Sequence, residues 1–179
     1  MKRIVLVALA AAGAAGIALG AAAPSQAAKP APTAPTAAPY LGRWATQAVV
    51  YDSTGGGNWF RIAEAVGEWR TSGWNVVTTS DPARANITVV AEDSSIFGAI
   101  GDASPVSSGG VITSCTVHLA PSWATLTGGQ QLAIHELGHC GGLPHSTSSR
   151  SAMYSYTSSS STLSSPTRDD LKWMAGNYR

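Results

Sequence analysis

The spacing of apolar and polar positions changes several times along this chain, and each change marks an element. Thr46 to Tyr51 (TQAVVY) is a short apolar, β-branched run closed by the turn-rich DSTGGG, which predicts a strand. Asn58 is then placed to cap a helix over Trp59 to Arg70, where Ile62, Ala65, Val66 and Trp69 recur with the 3.6-residue period. Ser72-Gly73 stops that helix. Trp74 to Thr79 and Asn86 to Ala91 read as strands on either side of an Asp81-Pro82 turn. A loop rich in Gly, Ser and Asp follows, and within it Ser95 to Ile100 is a candidate edge strand. Val111 to Leu119 (VITSCTVHL) is another strand. After Pro121 and a Thr127-Gly128-Gly129 turn, Gln130 to Cys140 is helical in pattern, with Gly141-Gly142 as its stop. Ser-rich coil runs from Ser146 to Ser165, its Ser158 to Ser161 tract reading as a solvated loop. A last helix spans Pro166 to Asn177, with Pro at N1 and Asp169 and Asp170 in its first turn. Strands and helices are interleaved without an internal repeat. The expected fold class is therefore α/β (α+β), a mixed twisted sheet carrying three main helices.

The first forty residues do not belong to this pattern. Lys2 and Arg3 precede an uncharged Ala/Leu/Val/Ile/Gly run, and Ser25-Gln26-Ala27-Ala28 supplies small residues of the A-x-A type. This predicts a secretory signal peptide over residues 1–27, cleaved after Ala27, with an uncleaved membrane anchor as the alternative. Residues 28–39 are rich in Pro and Ala, lack any large apolar side chain, and read as an extended linker. The folded unit is expected over residues 40–179.

Composition sharpens the picture once the leader is set aside. The whole chain of 179 residues has a formal charge of +1, but residues 40–179 hold 7 Arg and 1 Lys against 6 Asp and 4 Glu, a net of −2. No basic stripe supports nucleic-acid binding, and no membrane association is expected after signal cleavage.

Three of the four histidines lie within HELGHCGGLPH, from His135 to His145. His135 and His139 are four apart on a helix and project from one face with the spacing needed to hold one zinc ion. Glu136 is one step around, suited to touch a zinc-bound water without coordinating the metal. Gly142 can take the left-handed conformation that turns the chain back, which delivers His145 as a third ligand. Three neutral histidines leave a fourth position open, as catalytic zinc sites do. His118, alone on a strand, reads as a structural histidine satisfied by its neighbours.

His-Glu-x-x-His-x-x-Gly-x-x-His is the zinc signature of the metzincin metalloproteases, and Ser151-Ala152-Met153-Tyr154 resembles their methionine turn. The short interval from His145 to Met153, the first helix with Trp69, and the closing segment with Asp169-Asp170 resemble the matrixin branch. The resemblance implies one catalytic Zn(2+), with the cleft below the edge strand of the sheet. It also implies Glu136 as the general base for attack on a peptide carbonyl, and Met153 as an apolar floor rather than a ligand. It places an extended substrate along an edge strand, for which Gly98, Ala99 and Ile100 are the candidates. The pocket beside the zinc is expected near Leu126, His135 and residues 155–162. The matrixin latch cysteine has no counterpart, since no cysteine precedes Cys115. Only His118 is spare for a second zinc. Asp52, Asp81, Asp93 and Asp102 are scattered, so Ca(2+) stays open as a second ion but without support from the sequence. Ser155 stands where astacins carry a tyrosine ligand, so neither Tyr154 nor Tyr156 is assigned to the metal.

Cys115 precedes the active helix and Cys140 follows His139 directly. In an exported chain the pair reads as a disulfide, and a free Cys140 thiol able to regulate zinc is the alternative. The function expected is that of a secreted, monomeric zinc endopeptidase acting on protein or peptide substrates. A zinc-containing protein-binding module and a zinc hydrolase of a non-peptide substrate are its rivals.

Overall fold

The computed structural model describes residues 39–93, 99–125, 128–155, 163 and 165–179, all within one unit, residues 33–179. The expected leader, nearly all of the linker, the Ser158 to Ser161 tract, Tyr156 and Leu126 lie outside the described residues.

Among the described residues, six strands form one sheet. Strands β2 (Ala48–Ser53), β3 (Val76–Thr79), β4 (Ile87–Val90) and β6 (Val111–Leu119) run parallel in the order β3-β2-β4-β6. A two-residue β1 (Arg43–Trp44) pairs with the start of β6. Strand β5 (Gly101–Ser108) closes the edge antiparallel to β6. Ala48 and Val50, Ile87 and Val89, and Cys115, Val117 and Leu119 alternate along their strands and are buried, as are Val76 and, beyond a register shift in β6, Ile112. Their shared face packs in one core with helices α1 (Ile62–Arg70), α2 (Gly128–Cys140) and α3 (Arg168–Asn177). The period-two pattern in the strands and the Ile62, Ala65, Val66, Trp69 stripe on α1 are two halves of that core.

Several boundaries differ from the sequence reading for tertiary reasons. Helix α1 begins at Ile62 rather than Trp59, and Asn58 is not its cap. Asn58 and Arg61 instead take positive φ, 47° and 49°. The Trp59 carbonyl lies against Gly129 in the first turn of α2, where a Cβ would stand 2.3 Å from it, so this segment is committed to packing before the helix can start. Helix α3 begins at Arg168. Thr167 is its cap, reciprocated by Asp170 in a capping box, and Pro166 therefore precedes the helix instead of occupying N1. Helix α2 starts two residues early and absorbs Gly128-Gly129.

The edge strand needs a larger correction. Of Gly98, Ala99 and Ile100, Gly98 is outside the described residues, and Ala99 and Ile100 precede the strand. The edge strand is β5, Gly101–Ser108, a run the sequence presents as loop because Gly, Asp, Ser and Pro dominate it. Pro105 is tolerated there because, among the described residues, β5 pairs on one side only. A two-residue Gly109-Gly110 turn with both φ positive joins β5 to β6, and that hairpin signal was present in the sequence.

Cys115 on β6 and Cys140 at the end of α2 form a disulfide with Cα atoms 5.7 Å apart, closing 25 residues. The free-thiol alternative is thereby excluded. Removing the bond by Cys115→Ala with Cys140→Ala should cost about 3 kcal/mol in the loop-entropy account. Urea unfolding of the variant should show a lowered midpoint and a steeper slope, because the unlinked denatured chain exposes more surface.

Candidate metal centre

Helix α2 carries the centre and is buried along almost its whole length, His135 at 3% and Glu136 at 4% exposure included. Its end is a Schellman motif, in which Gly142 N donates to the His139 carbonyl at 2.8 Å and Leu143 N to the Gly138 carbonyl at 3.0 Å. Gly142 takes φ +96° to make this turn. The chain then doubles back and brings His145 beside the helix, its ring centroid 5.3 Å from that of His135 and 4.7 Å from that of His139.

Hydrogen bonds fix which nitrogen of each helical histidine faces inward. His135 Nδ1 donates to the Ala152 carbonyl and His139 Nδ1 to the Leu143 carbonyl, both at 2.7 Å. Because a carbonyl only accepts, each neutral ring carries its acceptor lone pair at Nε2. Those two Nε2 atoms are 3.2 Å apart, and one donor atom from each of His135, His139 and His145 falls within 4.8 Å of the others. Two ligands at tetrahedral positions about 2.0 to 2.1 Å from one zinc would be about 3.3 Å apart. Facing lone pairs repel unless a cation lies between them, so the donor set fits zinc.

Burial, reinforced by His139, drives the His135 ring down to about 3, and burial brings His139 down to about 4. His145 is lowered for the same reason. All three imidazoles are therefore neutral ligands at neutral pH. Burial pushes the Glu136 carboxyl up to about 8, with the nearby charge of Asp102 adding to the effect. A carboxyl with raised affinity for protons sits next to the metal ligands.

The methionine turn supports this arrangement from below. Met153 is fully buried, and a Cβ at Gly138 would lie 2.3 Å from its sulfur and 3.0 Å from the Trp69 ring. Gly138 thus lets the turn press directly on the zinc helix. Trp69 Nε1 donates to the Ile134 carbonyl at 2.9 Å and ties α1 to the same helix.

Asp170, legible in the sequence as a first-turn helix acid and as part of the matrixin-like closing segment, has a further role that the sequence does not show. Its buried carboxylate accepts from Ser151 Oγ, from Ala152 N at 2.9 Å, from Thr167 N at 2.9 Å and from Thr167 Oγ1 at 2.8 Å. One residue, Ala152, then links Asp170, through its N–H, to the ring of His135, through its carbonyl. Thr167-x-x-Asp170 is legible as a capping box, but the partners from the methionine turn are not local. Asp170→Ala should strand several buried donors and cost about 3 kcal/mol. Zinc affinity should fall by about 10- to 100-fold, as for other groups that orient ligands, and competition with a chelating dye reads this.

Among the described residues, His135, His139 and His145 are the one group of three or more acidic, Cys or His side chains close enough to share an ion. Asp52 accepts from Thr54, Asp81 caps the turn at Ala83, and Asp102 pairs with His118. His118 has the satisfied environment expected of it, between Asp102 and Glu92.

No curated protein matches the chain. The family model for matrixin, peptidase M10, matches residues 71–179, more than half of the chain and all of the zinc motif, the methionine turn and α3. With its histidines placed to hold the zinc that the family binds, the chain belongs to the matrixin family of zinc metallopeptidases.

Proposed function

We propose that this metallopeptidase is a secreted endopeptidase in which Glu136 is the general base. The observation that carries the catalytic part is the pair of Nε2 lone pairs 3.2 Å apart, with the buried carboxyl of Glu136 next to them on the same helix. Zinc held there supplies a water of lowered pKa and polarises the scissile carbonyl. His135, His139 and His145 hold the metal, and the carbonyls of Ala152 and Leu143 keep two of those rings aimed. Glu136 takes the proton of the attacking water at its carboxylate and passes it to the leaving amine. Strand β5 has no strand on its outer side among the described residues, so an extended peptide can add there through main-chain hydrogen bonds. The substrate edge is thus proposed along Gly101–Ser108. Export is supported by the basic, apolar and small-residue succession of residues 1–27 and by the paired cysteines.

The test is a diverse peptide library exposed to the zinc-loaded protein. Cleavage of internal bonds, abolished by a zinc chelator and restored by zinc, is expected. A library left intact would overturn the endopeptidase reading and leave a binding module or a non-peptide hydrolase.

A further inference from the structure

The backbone groups of β6 can be assigned, residue by residue, to one neighbouring strand or the other. Cys115 N donates to the Asn86 carbonyl at 2.9 Å, so Cys115, Val117 and Leu119 turn their N–H and C=O toward β4. Thr116, His118 and Ala120 then turn theirs toward β5, and Ala120 N donates to the Ile100 carbonyl at 2.9 Å. Asp102 and Ser104 are the Cα partners of His118 and Thr116, so their backbone groups face β6. The outward backbone groups of β5 therefore belong to Gly101, Ala103 and Pro105.

Those three positions are not equivalent. Gly101 and Ala103 each offer an N–H and a carbonyl, whereas Pro105 has no N–H and offers a carbonyl alone. Just beyond it the pairing with β6 shifts register between Val106 and Ser107, an irregularity of the kind that bends a sheet edge. At the other end, Gly101 lies so close to α2 that a Cβ there would stand 3.0 Å from Glu136 Oε1 and 2.9 Å from the Leu132 side chain. The run of complete donor and acceptor pairs thus starts beside the carboxyl of Glu136 and stops before Pro105.

We propose that β5 reads the main chain of a substrate over this short stretch only, with Gly101 and Ala103 as the residues that bind it and Pro105 as the residue that ends the ladder. The proposal rests on the endopeptidase reading with β5 as the substrate edge. Backbone groups on one side of a strand recur every second residue, so recognition is complete within about three peptide residues counted from the one beside Glu136. At Pro105 the peptide finds an acceptor but no donor, in whichever direction it runs, and one of its carbonyls is left to water. The substrates that fit are short extended segments, because a longer reach along β5 adds little.

Pro105→Ala supplies the missing donor at an outward position and removes no hydrogen bond. The variant and wild type, both zinc-loaded, are compared on nested fluorogenic peptides extended residue by residue on each side of one cleavage site. Peptides that stop short of Pro105 should give equal kcat/KM in the two proteins, which also shows that the fold and the metal centre are intact. Those that reach it should be cut about fivefold better by Pro105→Ala, near the net worth of one hydrogen bond. A bond made equally to substrate and transition state lowers KM at unchanged kcat, so the gain should lie in KM. A ratio of variant to wild type that does not change with peptide length overturns the proposal. So does a Pro105→Ala protein that dimerises in sedimentation and gains nothing on long peptides, since a second copy would then occupy the edge. If neither protein cuts a peptide, the endopeptidase reading fails alone, and fluorescence anisotropy of the same peptides decides the ladder. Tighter binding of only the long peptides by Pro105→Ala supports it, and equal or absent binding refutes it.

Discussion

Glu136→Gln should bind one zinc per chain with nearly wild-type affinity and yet lose hydrolysis by about 10³-fold or more, toward the upper range for removal of a general base. Glutamine has the size and shape of glutamate, so the tight approach of Gly101 and Leu132 to this side chain is kept. The histidines and their carbonyl partners are untouched. What disappears is the only group on α2 next to the ligands that can accept a proton. Metal analysis and circular dichroism should match wild type, so loss of turnover would be assigned to chemistry. A variant that keeps more than a tenth of the activity would remove Glu136 from the base role.

The same variant has a second expected effect, of opposite sign. Burial raises the Glu136 pKa in the folded, metal-free protein to about 8, well above the 4.5 of an ordinary glutamate. A raised carboxyl favours the folded state below the unfolded value, and that contribution is lost as pH rises through the folded one. Metal-free wild type is therefore penalised at about pH 8, and glutamine, which never ionises, is not. Metal-free Glu136→Gln should melt above wild type at that pH and near it at about pH 4. A positive ion beside the carboxylate favours its ionised form, so zinc should narrow the difference.

Gly142→Ala is the second large effect, and it acts on the fold and the metal together. The substitution puts a side chain on a residue at φ +96°, and its Cβ would stand 2.0 Å from the Gly42 carbonyl oxygen and 2.6 Å from Asn177 Nδ2. Neither neighbour is free to yield. The Gly42 carbonyl accepts from Asn177 Nδ2 at 2.8 Å, and Leu41 N donates to the Gly142 carbonyl at 2.8 Å. The left-handed backbone costs about 1 to 2 kcal/mol for a residue with a Cβ, and the backbone clash should bring the loss to about 4 kcal/mol. Leu143, whose carbonyl orients His139, and His145 both follow this turn. Zinc affinity should therefore fall by more than about 100-fold. Gly141→Ala is the control. Its Cβ would meet the flexible end of Met174, at 2.3 Å from Cε, which can swing aside. Thermal melts should place Gly141→Ala between wild type and Gly142→Ala, and the reverse order would contradict this account of the turn.

The metal centre was the most legible part of the chain because its geometry is mostly local. Four residues along a helix bring His139 over His135, and a glycine three residues later permits the return that carries His145. The apolar stripe of α1 and the extent of β6 were readable for a related reason, since one periodic face is enough to reveal a buried element. Strand β5 was not, because an edge strand answers to a single partner and tolerates Ser, Asp and Pro that hide its identity. The false start of α1 had a different origin. Trp59 can begin a helix, but its carbonyl packs against Gly129, and Asn58 and Arg61 to either side take positive φ, so the helix starts at Ile62.

The sequence alone thus determined the zinc donors, the placement of the acid beside them, the pairing partners available to cysteine and the kind of domain, since each rests on spacing within one element or on a count. Only the tertiary structure decided why Gly142 admits no side chain, that Asp170 steadies His135 through Ala152, and that His118 lies between two carboxylates. Each of these joins residues far apart in the chain. Their side chains meet because the sheet and helices pack around one core, and nothing in the local run of residues encodes that meeting.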